Sequence, residues 1–324
     1  MRSGLTQYMK NKKIIFRGAA IELSLLPSLV AVVTIDCRDS RVNLLSSSVL
    51  GELEKALGVL ETPGLCKGLV IISGKDNCFV AGADIKEIQH AQADDVSLEQ
   101  VFEACQRGKR VLARISALPL PTVAAIHGRC LGGGTELVLA CKTRIASNDK
   151  STLIGLPEVA LGVLPGWGGT VKVAKKLGLA SALSLILLPL RPWSAKKALR
   201  KGLIDAVVDS SKLADTAVEL ASAGSTDSQP AGNSKPGDAW HRPYTRSAVL
   251  GTLGFVLRNT GFRKYPALTG VLKVIGAAYK LPENEAFELE SRAFARLCKT
   301  DMSRRCVQKF LELQQAKKAK TAAH

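Results

Sequence analysis

No Cys-x-x-Cys pair occurs among the eight cysteines, and no His-Glu-x-x-His among the four histidines. The spacings that usually gather zinc are missing, so a resident metal is not expected. Aromatic residues make up 5% of the chain. That is too few to interleave with its cations as a base-stacking surface, and specific nucleic-acid binding is not expected. No Gly-x-Gly-x-x-Gly follows a strand-like run, which removes the usual dinucleotide cradle and, with it, NAD and hydride transfer. The longest uncharged run, Leu177 to Leu190, is too short to span a bilayer and reads as a buried core helix. Several cysteines sit inside apolar runs (Cys130, Cys141). They read as buried free thiols of a reducing compartment, a bacterial cytoplasm or a mitochondrial matrix, and not as a secreted disulfide framework.

What is present in excess is positive charge. Forty-five Lys and Arg face 28 Asp and Glu, a formal balance of +17. Such a surface attracts nucleotide phosphates, nucleic acid or an acidic membrane face; charge alone does not choose, and peripheral membrane contact stays open. The first 21 residues carry Arg2, Lys10, Lys12, Lys13 and Arg17 and no acid, but no apolar signal core follows. They read as an ordinary basic N-terminus. At 46% hydrophobic, the chain can bury the core of one large domain and a smaller one.

Along the chain, β-branched runs at Ile14–Phe16, Leu29–Ile35, Gly68–Ser73, Thr122–Ile126 and Ala206–Val208 predict strands, with shorter pieces at Arg144–Ala146 and Leu153–Ile154. Ser46–Leu60, Val101–Leu118, Gly134–Cys141, Thr170–Leu177 and Ser194–Lys201 read as helices. The alternation is that of an α/β fold with crossover connections. From Ala221 to Asp238 the chain turns to Ser, Gly, Pro and Asn without apolar period, which reads as a flexible linker. Beyond it, Ser247–Asn259, Ala267–Lys280, Pro282–Lys299 and Ser303–Lys320 have helix periods. The organisation is therefore a domain over 1–220, a linker over 221–238 and a helical segment over 239–324. That segment is either a small domain or a cover on the first.

Three glycine-rich blocks carry the chemistry: Ala81-Gly82-Ala83-Asp84-Ile85-Lys86, Gly132-Gly133-Gly134-Thr135-Glu136-Leu137, and Pro157-Glu158 with Leu164-Pro165-Gly166-Trp167-Gly168-Gly169-Thr170. A strand that feeds a helix through glycines offers bare N–H groups at the positive end of the helix dipole, which suits an oxygen gaining negative charge. Glu136 sits two residues after the last glycine of its block, and Glu158 follows 22 positions later. One carboxylate can hold water while another moves a proton, although spacing does not show that the two face one another.

These blocks resemble, in order and spacing, the signature blocks of the crotonase (enoyl-CoA hydratase/isomerase) superfamily over roughly the first two thirds of the chain. The tail, with Tyr265-Pro266-Ala267 and Glu288-Leu289-Glu290-Ser291-Arg292-Ala293-Phe294, is similar to the N-terminal part of the α-subunit of the multifunctional fatty-acid oxidation complex. The resemblance implies an α/β spiral of repeated ββα units followed by a helical C-terminal segment. It implies an oxyanion hole from the N–H groups of Ala83 and Gly133, with Glu136 positioning water and Glu158 serving the α-carbon proton. The Ala81 carbonyl and Lys86 would lie near the CoA adenine and its phosphates; Arg38 and Arg41 are weaker phosphate candidates. The expected activity is hydration of 2-enoyl-CoA in β-oxidation. The alternatives are Δ3,Δ2-enoyl-CoA isomerisation and a non-catalytic acyl-CoA-binding subunit of an oxidation complex. The acyl-CoA thioester is substrate, not cofactor. Homo-oligomers (trimers or hexamers), or a dehydrogenase or thiolase partner, follow from the same resemblance. Two departures stand out. Pro189-Leu190-Arg191 replaces the usual Thr-Gly-Arg in a loop that would shape the acyl pocket, and Trp167 stands where a smaller residue is common and reads as packing.

Overall fold

The β-branched runs become the centre of a seven-stranded sheet. A computed structural model describes residues 11–188, 191–223, 243–260 and 264–322. Its larger sheet has the order β1 (Lys13–Arg17), β2 (Ile21–Leu25), β3 (Val30–Ile35), β4 (Gly68–Ser73), β6 (Thr122–Ile126), β8 (Thr143–Ser147), β11 (Ala206–Val208). The pairs from β3 to β11 are parallel, and β4 and β6 are buried at every position. Strands covered on both faces need apolar residues throughout rather than alternation, and this is why these runs are so uniform. A smaller sheet joins β5 (Cys78–Val80), β7 (Arg129–Leu131), β9 (Leu153–Gly155) and β10 (Trp193–Ser194).

The two sheets share one logic. β4, β6 and β8 each enter the large sheet; the strands that follow them, β5, β7 and β9, each enter the small one and lie parallel there. Each strand pair then leads into helix. Three successive strand–strand–helix turns form the α/β spiral that the resemblance implies, and a helical segment follows it.

The chain divides into two compact units whose segments alternate along the sequence. The first takes the described residues up to Ala83, then Arg107–Leu156, then those from Pro192 through helices α6 (Ala195–Arg200) and α7 (Leu213–Ser222). Its core lies on one face of the large sheet, where Val30, Val32, Val70, Ile72, Val123, Ala125 and Ile145 meet Leu213, Ala217, Val218 and Ala221 of α7. Helix α1 (Ser47–Leu60) begins at the predicted hydroxyl cap, with Ser46 Oγ accepting the Val49 N–H. Arg144 and Asp205 pair at 2.7 Å with both side chains about nine-tenths buried, tying β8 to the chain before β11.

The second unit takes Asp84–Gln106, Pro157–Arg191 and the C-terminal helices. It holds α2 (Ile85–Ala91), the first part of α3 (Leu98–Ala117), a 3₁₀ turn at Glu158–Leu161, and α5 (Gly169–Ile186). With them pack α8 (Pro243–Asn259), α9 (Pro266–Lys280), α10 (Glu283–Cys298) and α11 (Asp301–Ala322). Tyr279 of α9 donates its hydroxyl to the Ala174 carbonyl of α5 at 2.8 Å, and Lys175 pairs with Glu283 at 3.0 Å. The tail helices thus share a unit with mid-chain segments and do not stand alone.

Several expectations change. The strands β2, β5 and β7 and the helix α7 were not predicted. β5 and β7 have three residues each, too few to show a period, whereas the apolar positions of α7 fall at helical spacing. The helix expected from Gly134 to Cys141 spans Gly133–Val138 and is labelled α4. The run Leu177–Leu190 is not one buried helix: α5 breaks at Gly178 (φ 75°, ψ 171°) and ends at Ile186, and Leu188 is exposed. Ala221 and Ser222 belong to α7; the rest of the expected linker, and Pro189-Leu190, lie almost wholly outside the described residues.

Candidate functional site

In the first unit, two glycine turns lie side by side because β5 and β7 pair, with Val80 opposite Cys130. The first turn, Ala81-Gly82-Ala83, is stitched to the chain after β3. The Ala81 N–H donates to the Asn43 carbonyl and the Leu45 N–H to the Gly82 carbonyl, both at 2.9 Å, and Ala83 bridges Leu45. The second turn enters α4 (Gly133–Val138). Gly132 donates to the Gly155 carbonyl at 2.9 Å and its own carbonyl accepts from Thr135 and Glu136. A Cβ on Gly134 would lie 2.5 Å from the Val80 carbonyl oxygen. Only glycine lets the helix start this close to β5. Neither the Ala83 nor the Gly133 N–H donates to a backbone acceptor among the described residues. For Gly133 this is the ordinary state of a helix's first N–H groups.

The packing beneath these turns is polar and satisfied. Thr135 Oγ1 lies 2.9 Å from the Cys130 carbonyl and 2.8 Å from the Gly155 carbonyl, with Thr135 fully buried. Glu136 follows in the first turn of α4, 3% exposed. Burial pushes the Cys78 and Cys130 thiols up, so they stay protonated and are not nucleophiles at neutral pH.

Asn43 organises the first turn, and no local pattern in the sequence marks it. It is fully buried. Its Nδ2 donates to the Ile35 carbonyl, Ser73 Oγ and the Phe79 carbonyl at 2.8, 2.8 and 3.0 Å, and its Oδ1 accepts the Cys37 N–H at 2.9 Å. This side-chain amide joins β3, β4 and β5, while the backbone carbonyl of the same residue accepts the Ala81 N–H.

Of the proposed CoA contacts in this unit, Arg38 and Arg41 are exposed. Arg38 lines a shallow surface pocket with Lys12, Thr34 and Asp36; Arg41 does not.

The second unit holds Lys86 and Glu158. Lys86 is exposed in the first turn of α2, where the Asp84 carboxylate caps the helix by accepting its N–H at 2.9 Å. Glu158 opens the 3₁₀ turn and is half-buried. That turn closes on Gly162 at φ 73°. The third glycine block leads into α5, where buried Glu290 of α10 accepts the Thr170 N–H at 2.8 Å; a carboxylate there suits the helix dipole. Trp167 is half-buried. Among the described residues no three His, Cys, Asp or Glu side chains gather as a metal would require, and no helix is long and apolar enough to cross a membrane.

The sequence model of the enoyl-CoA hydratase/isomerase family matches residues 27–231, more than half of the chain. The chain belongs to this family. Solved structures agree on the fold. An enoyl-CoA hydratase from Bacillus anthracis is 26% identical, with 96% of this chain and 97% of that one covered and a TM-score of 0.54. Human mitochondrial Δ3-Δ2-enoyl-CoA isomerase is 22% identical over 90% of this chain and 96% of its own, at 0.62. An enoyl-CoA hydratase from Mycobacterium avium subsp. paratuberculosis K-10 is 22% identical over 91% and 100%, at 0.60. Family membership gives the general kind of protein, a lyase or isomerase acting on acyl-CoA.

Proposed function

We propose that this family member is an enoyl-CoA hydratase adding water to 2-enoyl-CoA thioesters in fatty-acid β-oxidation. The observation that carries the reading is the pair of adjoining turns: among the described residues the Ala83 and Gly133 N–H groups have no backbone acceptor, and the buried Glu136 carboxylate follows within one turn of helix.

In the proposed step the thioester oxygen accepts both N–H groups. Water, held by Glu136, adds its oxygen to the β-carbon, and the electron pair of the double bond moves onto the thioester oxygen as an enolate. Donors in place before the reaction stabilise that charge without reorganising. The proton given up by water passes to Glu136, and the α-carbon takes one from Glu158. One carboxylate must therefore begin ionised and the other protonated, and exchange with solvent resets them. The step uses no NAD and no metal. Glu158 takes its role from the sequence resemblance, as do the Ala81 carbonyl, Lys86, Arg38 and Arg41 at the CoA adenine and phosphates. The likeness of the tail to the multifunctional α-subunit, and assembly as a homo-oligomer or with a dehydrogenase or thiolase, belong to the same reading.

The test is ultraviolet loss of the conjugated thioester with crotonyl-CoA and with a longer 2-enoyl-CoA. Hydration is expected in the wild type. Glu136→Gln and Glu158→Gln should each lower kcat by about 10²- to 10⁴-fold, the usual worth of a general acid or base. Full rates in both variants would remove the carboxylate assignment. Absence of hydration with turnover of a 3-enoyl-CoA would replace the reading by isomerisation, which needs a proton shuttle but no water.

A further inference from the structure

The turn that opens with Glu158 is closed by a residue far along the chain and outside the segment matched by the family model. Ser303, in the first turn of α11, is fully buried. Its hydroxyl donates to the Leu161 carbonyl at 3.0 Å and accepts from Gln92 Nε2 at 2.9 Å. Leu161 is the last residue of the 3₁₀ turn, so its carbonyl is among those a helical turn leaves without an internal partner. The next residue, Gly162, sits at φ 73°, and a Cβ there would lie 2.7 Å from the Ser303 Cα. The backbone of α11 therefore rests directly on the end of the turn.

The Gln92 that orients this hydroxyl lies where the end of α2 is tied to α10 and α11. Gln92 caps the end of α2 and is itself buried. Around it, Lys299 Nζ donates to the Ala93 carbonyl, Arg304 pairs with Asp94 at 2.6 Å, and the Cys298 thiol points to the Ile88 carbonyl at 3.8 Å. A serine hydroxyl has one proton to give and lone pairs to accept with. Here the Gln92 amide occupies a lone pair and turns the O–H toward Leu161. The arrangement holds the orientation of one peptide group in a four-residue turn, and with it the direction in which the first residue of that turn projects.

We propose that Ser303 is a positioning residue for Glu158, acting through the Leu161 carbonyl and oriented by Gln92. The proposal rests on the hydratase reading of Glu158. It gives the C-terminal helix a part in the reaction: it does not touch substrate but sets the aim of the acid/base carboxylate.

The experiment compares Ser303→Ala, Gln92→Ala and the double variant Ser303→Ala/Glu158→Gln in the full chain, with kcat, KM and thermal midpoint measured for each. Small displacements of a reacting group cost up to about 100-fold, so Ser303→Ala is expected to lower kcat by roughly tenfold with KM within about twofold of wild type. Gln92→Ala should lower it less, because the hydroxyl remains. In the Glu158→Gln background, removal of the hydroxyl should bring less than about a twofold further loss, since residues acting as a unit are not additive. A residue that only supports folding would give the same loss in both backgrounds, and that result overturns the proposal. So does an unchanged kcat in Ser303→Ala. Full activity of Glu158→Gln is a different failure: it removes the hydratase assignment of the carboxylate itself.

Discussion

The two glycine turns of the first unit and the 3₁₀ turn of the second are held in place by different means. Ala81–Ala83 and Gly132–Gly134 hang from strand ends: β5 and β7 pair, Asn43 gathers three carbonyl or hydroxyl oxygens, and Gly134 lets α4 approach Val80. Their supports come from the paired strands and from the chain that follows β3. The Glu158 turn has no such frame. Its end is held by Ser303, 142 positions beyond Leu161, and the helix entry that follows it by Glu290, 120 positions beyond Thr170. Under the proposed reaction these donors must hold still as charge develops, and paired strand ends fix them through backbone hydrogen bonds. A carboxylate on a short turn is placed by whatever packs against it, and can be re-aimed by changing a distant helix.

The contrast can be broken by experiment. The largest effect expected is on chemistry: both glutamine variants described above should lose hydration whichever unit carries the carboxylate. If only one does, the two regions are not partners in one reaction. Next, Asn43→Ala should destabilise the fold by about 3 kcal/mol, because it leaves several buried polar groups without partners. Denaturant midpoints would register this, and an unchanged midpoint would mean that the strand ends hold themselves.

Gly134→Ala and Gly162→Ala form a matched pair. Each new Cβ would meet backbone, at 2.5 and 2.7 Å respectively, and overpacking of this kind costs about 1–3 kcal/mol. The first should raise KM and lower kcat together by disturbing the donors. The second should act on kcat, as Ser303→Ala does. The reverse pattern in steady-state kinetics would exchange the roles given to the two regions.

The smallest effect concerns pH. His127, 2% exposed at the end of β6, faces the Lys75 carbonyl through Nε2, and its Nδ1 has no partner among the described residues. Burial holds its pKa below the ordinary 6.5. Below about pH 6.5 the unfolded chain takes up a proton that the folded chain refuses. The stability contributed by the neutral ring is therefore complete above that pH and is lost as pH falls below it. Thermal midpoints of wild type and His127→Gln should converge as pH drops from 7.5 to 5. Parallel curves would show that His127 carries no such linkage.

Much of this was legible because it is local. The β-branched Leu29–Ile35, Gly68–Ser73 and Thr122–Ile126 runs read as strands, and Ser46 announced its helix. The glycine blocks marked the turns at Ala83 and Gly133, and the carboxylate two residues past the second block, Glu136, as candidates. What stayed hidden is either too short or too distant. β5 and β7 have no period to read, and the mid-helix break at Gly178 depends on what surrounds it. Asn43, Gln92 and Ser303 look like ordinary polar residues until the fold buries them. By itself the sequence determined the family, the strand–helix alternation and the chemistry on offer, since these depend on backbone preferences and residue type within a few positions. Only the tertiary structure decided which polar side chains would be dehydrated against which carbonyls. A hydroxyl at position 303 gains its partner at position 161 only when the chain has brought the two together and excluded water from both.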